Sequence, residues 1–236
     1  MSTGKLAFEA VHYRYSSGVE ALRGVTFSIG AGERVALVGA NGAGKSTLLL
    51  HANGLLTPTA GHVEADGEEV TPKRSAEVRR AVGLVFQNAD DQLFMPTVRE
   101  DVAFGPQTMG LKKEEIERRV QEALAAVDAA ELADAAPFHL SCGQKKRVAI
   151  ATVLAMRPSV LVMGEPTAGL DPKARRLLIE LLENLSHTLL IATHDMDLVA
   201  RICPRTVILD RGIVAADAPT APLFADLPLL ESCGLR

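Results

Sequence analysis

The residues with the clearest chemical potential form a glycine-rich run that ends in a lysine and two hydroxyl side chains, GANGAGKST at residues 39–47. Glycines at this spacing let several backbone N–H groups point at one phosphate chain. The N-terminus of the helix expected after the run adds a partial positive charge. The lysine can then reach the β- and γ-phosphates, and the first hydroxyl can be a ligand of Mg²⁺. The spacing predicts a phosphate-binding loop (P-loop) with contacts from Asn41, Gly42, Gly44, Lys45, Ser46 and Thr47.

The sequence on either side of the P-loop predicts the elements that hold it. Residues 6–38 contain the short apolar runs and Ser/Gly turns of β-strands, and the last of these strands ends at the loop. A helix is expected from residue 45 to about residue 53. Residues 62–70 and 82–87 predict further strands. The loop is therefore expected between a strand and a helix, the context that a phosphate site of this kind requires.

The second half of the chain begins with a helical region and then alternates between strands and helices. Residues 97–157 are expected to be mainly helical, because apolar residues recur at helical spacing between Ile116 and Val127. Asp171 and Pro172 predict the start of a later helix, as a cap and a first-turn proline. Strand-length apolar runs lie at residues 160–163, 189–193 and 207–209. This alternation favours a mostly parallel sheet covered by helices, with the helical region as an inserted lobe.

Further motifs follow the P-loop in a fixed order. They are VFQN at residues 85–88, LSCGQ at 140–144, VLVMGEPT at 160–167, AGLD at 168–171 and ATHD at 192–195. With the P-loop, their order and spacing resemble the ABC ATPase family from about residue 5 to about residue 215. In that family they are the Q-loop, the signature, the Walker B segment, the D-loop and the switch histidine. The resemblance implies a P-loop ABC ATPase fold.

The resemblance also implies a role for individual residues. Glu165 would polarise the attacking water, His194 would hydrogen-bond the γ-phosphate, and Gln87 would contact Mg²⁺ or the water. Tyr15 would stack on adenine. Each residue has an ordinary alternative. For Glu165 it is a surface carboxylate, and for His194 a structural histidine. For Gln87 it is a polar strand end, and for Tyr15 a half-buried strand aromatic beside Tyr13.

The signature residues Ser141, Gly143 and Gln144 imply a second subunit. In the family, this motif contacts the γ-phosphate that the other subunit holds, so that two ATP molecules are sandwiched in a head-to-tail dimer. One such domain per chain implies a homodimer or a closely related partner. Asp171 would communicate between the two sites, or would simply cap a helix.

Three less familiar stretches indicate the subfamily. They are LLLHANGLL at residues 48–56, FQNADDQLF at 86–94 and PTVREDVAFGP at 96–106. They resemble energy-coupling factor (ECF) ATPases, and most of all those of cobalt or nickel importers. The resemblance implies integral-membrane and substrate-binding partner subunits, and a peripheral position on the cytoplasmic face of the inner membrane. Residues 88–105 are the predicted docking surface, with Leu93, Phe94 and Met95 expected to be exposed.

Two positions depart from the family pattern. Cys142 replaces the first glycine of the signature, and Gly164 replaces the Walker B aspartate. A cysteine near a helix N-terminus can be reactive towards thiol reagents, although a small residue can also simply be tolerated there. The aspartate normally orients water around Mg²⁺, so its loss predicts slower hydrolysis with ATP binding retained.

Composition excludes several other classes of protein. The net charge is −4, with 25 Lys+Arg against 29 Asp+Glu, so no nucleic-acid partner is expected. Three cysteines without regular spacing argue against a disulfide framework.

The N-terminal residues predict no signal peptide, and no apolar run approaches the ~20 residues of a membrane helix. His51, His62 and His139 lack the sequence spacing of metal ligands and are expected to be structural or surface residues.

The sequence therefore predicts a single α/β domain, with residues 1–90 and 158–236 as the catalytic core with a β edge and residues 91–157 as the helical lobe. The predicted function is ATP binding and hydrolysis, with Mg²⁺, that powers uptake of a metal ion or vitamin. Two alternatives stay open. One is a soluble ABC ATPase of DNA repair or translation, for which a coiled-coil insertion or a second domain would be expected. The other is a non-catalytic nucleotide switch, which Gly164 makes credible.

Overall fold

The computed structural model describes residues 5–235, which form ten strands and nine α-helices. The strands are β1 (Leu6–Arg14), β2 (Glu20–Ile29), β3 (Arg34–Val38), β4 (Ala60–Ala65), β5 (Glu68–Glu69), β6 (Val82–Val85), β7 (Val160–Gly164), β8 (Thr188–Ala192), β9 (Arg205–Asp210) and β10 (Ile213–Pro219). The helices are α1 (Lys45–Ala52), α2 (Ser75–Ala81), α3 (Val98–Thr108), α4 (Lys113–Ala126), α5 (Cys142–Leu154), α6 (Pro172–Asn184), α7 (Met196–Ile202), α8 (Thr220–Ala225) and α9 (Leu227–Ser232).

The chain divides into two compact units. The first contains the described residues up to Leu84, Ser159–Glu165, and the described residues from Ser186 onward. The second contains Val85–Pro158 and Pro166–Leu185. The helical region expected at residues 91–157 falls within the second unit, which also takes in α6.

A four-stranded antiparallel sheet in the first unit has the order β2-β1-β4-β5. Its strands alternate in burial, as in β4, where Val63 and Ala65 are buried while His62 and Glu64 lie on the more exposed face. The register of β1 shifts after Glu9, where Ala10 takes a positive φ of 46°. Such a bulge bends the strand and changes its local twist. The sheet thus has one face in the core and one open face.

A six-stranded sheet has the order β10-β9-β3-β8-β7-β6. Strand β3 runs parallel to both β8 and β9, and β7 runs parallel to β8, whereas β9 and β10 are antiparallel. The strands β3, β7 and β8 are almost continuously buried, which is typical of a parallel sheet with both faces covered. The expected mostly parallel core sheet with an antiparallel β edge is confirmed.

The second unit is built from helices α3–α6. Helix α3 begins with a capping box in which Thr97 and Glu100 satisfy each other's backbone N–H groups. Helix α5 begins with the same device, formed by Ser141 and Gln144. Helices α3, α4 and α5 pack on one another, and α5 packs on α6. The amphipathic sequence of α6 buries Leu178, Ile179 and Leu182, which accounts for its place in this unit.

Several element boundaries differ from the sequence prediction. The strand expected at residues 62–70 is divided into β4 and β5 by a turn at Asp66 and Gly67, both of which have positive φ. The strand expected at 82–87 ends at Val85. Strand β10 and helices α2, α7, α8 and α9 are not predicted from the sequence. Within residues 5–235, none of the helices has both the length and the apolar composition needed to span a bilayer.

Candidate functional site

The P-loop connects the buried end of β3 to the start of α1, as predicted. Gly44 adopts a φ of 106°, and a Cβ atom at this position would lie 2.6 Å from the Ala21 carbonyl oxygen. A Cβ atom at Gly39 would overlap the carbonyl oxygen of Leu209. Only glycine fits both positions, because one needs a left-handed conformation and both need close backbone approach. The loop can therefore fold tightly around an anion.

The start of α1 carries the properties of an anion site. No side chain caps the helix, and its first turn contains no acidic residue. The first backbone N–H groups of a helix lack intrahelical acceptors and carry a partial positive charge. Ser46 is exposed in this turn, while Thr47 is buried. The first turn thus offers amide donors and a hydroxyl to a phosphate chain.

Lys45 is held close to the loop that it would serve. Its Nζ donates to the carbonyl oxygens of Gly39, at 2.6 Å, and Ala40, at 3.2 Å. Burial lowers the pKa of Lys45, and the negative charge of Glu165 opposes that shift. The ammonium group is therefore positioned inside the loop rather than extended into solvent.

Tyr15 follows directly after β1 and is connected to α1. Its hydroxyl lies 2.9 Å from Thr47 Oγ1, and its ring meets the ring of Tyr13 edge to face, with centroids 4.9 Å apart. Tyr13 also meets the buried ring of His51, at 4.7 Å, and His51 Nδ1 lies 2.7 Å from the Thr47 carbonyl oxygen. These contacts fix an aromatic ring, 37% exposed as a residue, beside the P-loop helix. An exposed aromatic face in this place can stack on a base.

Glu165 and His194 follow two adjacent parallel strands, β7 and β8. Glu165 Oε2 lies 2.9 Å from His194 Nδ1 and accepts hydrogen bonds from the His194 backbone N–H, at 3.3 Å, and from Thr193 Oγ1, at 3.1 Å. Glu165 itself has a φ of 44°, an uncommon conformation outside glycine, asparagine and aspartate. The backbone and Thr193 together orient this carboxylate.

Thr193 is a member of the site that the sequence analysis missed. It is fully buried, donates to Glu165, and its Oγ1 accepts from the Asp195 N–H at 3.0 Å. Its position in the sequence could have identified it, because Thr193 ends an apolar strand and directly precedes the candidate histidine. The first unit therefore brings together Tyr15, the P-loop, Glu165 and His194.

The remaining predicted residues belong to the second unit. The Gln87 side chain is exposed, and its backbone carbonyl accepts from Lys146 Nζ. Ser141 and Cys142 are exposed at the start of α5, and the Gln144 side chain accepts from the Ser141 N–H at 2.9 Å. Gly143 packs against α6, where an added Cβ would lie 2.8 Å from the Ala174 Cβ. The signature is thus an exposed, capped helix start.

Asp171 caps α6, as one of its two predicted roles requires. Its Oδ1 accepts from the backbone N–H groups of Lys173, at 2.9 Å, and Ala174, at 3.0 Å. This contact does not test the other role, communication between two nucleotide sites, which stays a prediction.

The expected exposure of the apolar residues after the Q-loop is correct only in part. Phe94 is 63% exposed and meets Phe104 edge to face at 5.1 Å, but Leu93 is buried. The reason is a turn held by Asp101, whose Oδ1 accepts from the backbone N–H groups of Phe94 and Met95. This turn directs Leu93 inward. Burial raises the pKa of Asp101.

Comparison with known proteins gives consistent matches over most of the chain. The family model described as "ABC transporter" matches residues 22–168. The chain is 48% identical over 231 residues to the energy-coupling factor transporter ATP-binding protein EcfA of Methanocaldococcus jannaschii, covering 96% of this chain and 83% of the relative.

Two solved structures have the same fold. CbiO1 of Clostridium perfringens, described as part of the ABC transporter complex CbiONQ, is 39% identical, with a TM-score of 0.86 over 100% of this chain and 96% of that one. The ATP-binding cassette MJ0796, in a dimeric post-hydrolysis state bound to ADP and Pi, is 30% identical, with a TM-score of 0.81 over 91% of this chain and 98% of that one.

Proposed function

The chain belongs to the ABC transporter ATPase family, in its energy-coupling factor type, and we propose that its ATP hydrolysis powers import of a cobalt or nickel ion, or of a vitamin, through a membrane complex. The preference for a metal ion rests on the stretches 48–56, 86–94 and 96–106, which resemble those of cobalt and nickel importers. The partners are integral-membrane and substrate-binding subunits, and the chain acts at the cytoplasmic face of the membrane.

One observation carries the proposal for hydrolysis. Glu165, oriented by Thr193 and by the His194 backbone, follows strand β7 in the same unit as the P-loop that holds Lys45. A fixed carboxylate is needed to accept a hydrogen bond from the attacking water, and a fixed cation is needed for the phosphate oxygens. An ATP-binding switch without turnover would require only the fixed cation and not the fixed carboxylate.

Nucleotide binding draws on several side chains at once. The Tyr15 ring stacks on adenine, and the amides at the start of α1 donate to the phosphates. Lys45 exchanges its contacts with the Gly39 and Ala40 carbonyls for contacts with β- and γ-phosphate oxygens. Phosphate oxygens are the stronger acceptors because they are charged.

The residues present fit Mg²⁺, with one departure. Mg²⁺ keeps several waters and usually takes one or two protein oxygens together with substrate phosphates, and the exposed Ser46 hydroxyl is such an oxygen. Gln87 would add an amide oxygen. Gly164 supplies no carboxylate where the family has one. When bound, Mg²⁺ would neutralise charge on the phosphate oxygens.

A second subunit completes the site in this proposal. Ser141, Gly143 and the start of α5 would contact the γ-phosphate held by a second copy of the chain. The exposed Ser141 and Cys142 leave this helix start accessible to a partner. A homodimer with two sandwiched ATP molecules follows.

The experiment is transport by the complete complex. The chain is expressed with its candidate membrane subunits, purified as a complex and reconstituted into vesicles that contain ATP. Uptake of labelled cobalt, nickel and a panel of vitamins is then measured, with a Lys45→Ala complex as the control. ATP-dependent uptake of one substrate, lost in the control, is expected. Steady hydrolysis by a chain that retains no membrane subunit would instead support a soluble ATPase.

A nucleotide switch is the second candidate, and Gly164 is the observation that favours it. A switch predicts tight ATP binding with no phosphate release, whether or not Mg²⁺ is added. Hydrolysis that requires Mg²⁺ would exclude it.

A further inference from the structure

The open face of the four-stranded sheet carries a histidine between two glutamates. Glu9 on β1 is the direct cross-strand partner of His62 on β4, and Glu64 lies two residues after His62, on the same face. Side chains alternate along a strand and pair across neighbouring strands, so the register alone places these three together. Their donor atoms lie within 4.8 Å of one another.

We propose that Glu9, His62 and Glu64 bind one divalent transition-metal ion of the Zn²⁺, Ni²⁺ and Co²⁺ class, bridging strands β1 and β4. None of these three residues is among the predicted nucleotide contacts, and the site does not depend on the proposed transport function.

The spacing of the donor atoms fits a metal better than it fits hydrogen bonds. His62 Nε2 lies 3.4 Å from Glu9 Oε2 and 3.5 Å from Glu64 Oε1. Two ligands in a tetrahedral shell with metal–ligand bonds of ~2.0–2.2 Å are ~3.3–3.6 Å apart. Charge-assisted N–H···O hydrogen bonds are shorter, at ~2.7–2.9 Å. Both histidine–carboxylate distances therefore match a metal shell, and the two carboxylate oxygens lie within 4.8 Å of each other.

The charges around the group also favour a cation. Across residues 5–235, neither Glu9 nor Glu64 forms an ion pair with a lysine or arginine. Two carboxylates that converge on one imidazole leave negative charge uncompensated whenever that imidazole is neutral, and a divalent ion would balance it. The imidazole nitrogen selects Zn²⁺, Ni²⁺ or Co²⁺ over Mg²⁺ or Ca²⁺, which prefer oxygen ligands only.

Metal binding should stabilise the sheet. His62 and Glu64 are only two residues apart in the sequence, whereas Glu9 joins them only when β1 and β4 are paired. The native state therefore binds the ion more tightly than the unfolded chain, and the melting temperature should rise with metal concentration. Water would occupy the open coordination positions, since the three side chains are partly exposed.

The test uses the full chain without nucleotide, because ATP itself binds metal ions. Zn²⁺ affinity is measured by competition with a chromogenic chelator, and Co²⁺ absorption reports the ligand type. One ion per chain is expected, without a thiolate band. His62→Gln and Glu9→Gln should each weaken binding by more than the ~10–100-fold that loss of an outer-shell partner costs. They should also abolish the metal-dependent rise in melting temperature.

The matched control is His139→Gln, which changes an exposed histidine in the second unit and should bind metal like the wild type. If either site variant fails to fold, Glu64→Gln takes its place. Equal Zn²⁺ affinity in the wild type and the site variants would overturn the proposal, as would binding that only Cys142→Ser removes. Equal affinity would mean that the three side chains form only a solvated surface cluster.

Discussion

His194 Nδ1 lies 2.9 Å from Glu165 Oε2, so the expected phosphate-binding histidine and the expected catalytic carboxylate are in direct contact. A neutral imidazole that donates from Nδ1 to a carboxylate leaves Nε2 as an acceptor only. Such a ring cannot donate to a phosphate oxygen. In this form His194 has to leave Glu165 before it can donate to the γ-phosphate, which couples the position of one residue to that of the other.

Replacing Glu165 by Gln should separate ATP binding from hydrolysis. The glutamine oxygen can still accept from Thr193 and His194, but it is a poor proton acceptor for water. We expect kcat to fall by ~10²–10⁴-fold. ATP affinity, measured with a fluorescent analogue, should stay close to that of the wild type. The control is Glu180→Gln, on the exposed side of α6. Phosphate release at the wild-type rate in the Glu165 variant would show that another group activates the water.

Replacing Lys45 by Ala should remove phosphate binding. The buried ammonium group is the cation that the P-loop positions, and removing a single preorganised donor of this kind costs ~10²–10³-fold in rate. We expect at least this loss in kcat/KM, together with weaker ATP binding. Lys73→Ala, an exposed lysine of the same unit, should behave like the wild type. Unchanged ATPase activity in the Lys45 variant would rule out the assigned role of the P-loop.

Restoring the missing carboxylate at Gly164 should accelerate hydrolysis. A carboxylate that orients the waters of bound Mg²⁺ contributes ~10–100-fold to metal affinity or activity. Gly164→Asp is therefore expected to raise turnover and to lower the Mg²⁺ concentration needed for half-maximal rate. Both quantities come from a Mg²⁺ titration of phosphate release. If neither changes, the glycine is neutral in this chain and the argument from the family pattern fails.

Truncating Phe94 should release a membrane partner without affecting nucleotide binding. The residue is 63% exposed, its ring meets that of Phe104, and it lies within residues 88–105, the predicted docking surface. Apolar groups exposed in this way typically mark protein interaction sites. We expect Phe94→Ala to lower co-purification of the membrane subunits. The control is Phe138→Ala, because Phe138 is 75% exposed in the same unit but outside this surface. An intact complex with the Phe94 variant would place docking elsewhere.

Thiol labelling should report the proposed dimer. Cys142 is exposed, whereas Cys203 and Cys233 are buried, and burial raises the pKa of Cys203 to about 12. Only the thiolate reacts, so a maleimide should modify Cys142 alone in the folded chain. If the signature covers the nucleotide of a second copy, ATP should slow this labelling in the Glu165→Gln variant. Loss of labelling in the Cys142→Ser variant identifies Cys142 as the modified residue. Labelling at the same rate with and without ATP would argue against the sandwich.

The sequence alone determined the features that depend on local backbone chemistry. The P-loop, its place between β3 and α1, and the cap at Asp171 follow from glycine, helix-start and capping rules that act over a few residues. The alternation of apolar strands and helices likewise predicted the parallel sheet, because parallel strands must be joined by crossovers and buried on both faces. The order of the motifs then resembled one family over most of the chain.

Tertiary structure decided which side chains from distant segments meet. Thr193 reaches Glu165 because β7 and β8 are neighbours, and Glu9 faces His62 because β1 and β4 pair in one register. Leu93 is buried because Asp101 holds the turn beside it. Spacing along the chain fixes local conformation but carries little information on strand order and register, which are set by packing of the whole core. Contacts between segments therefore became visible only in the folded chain.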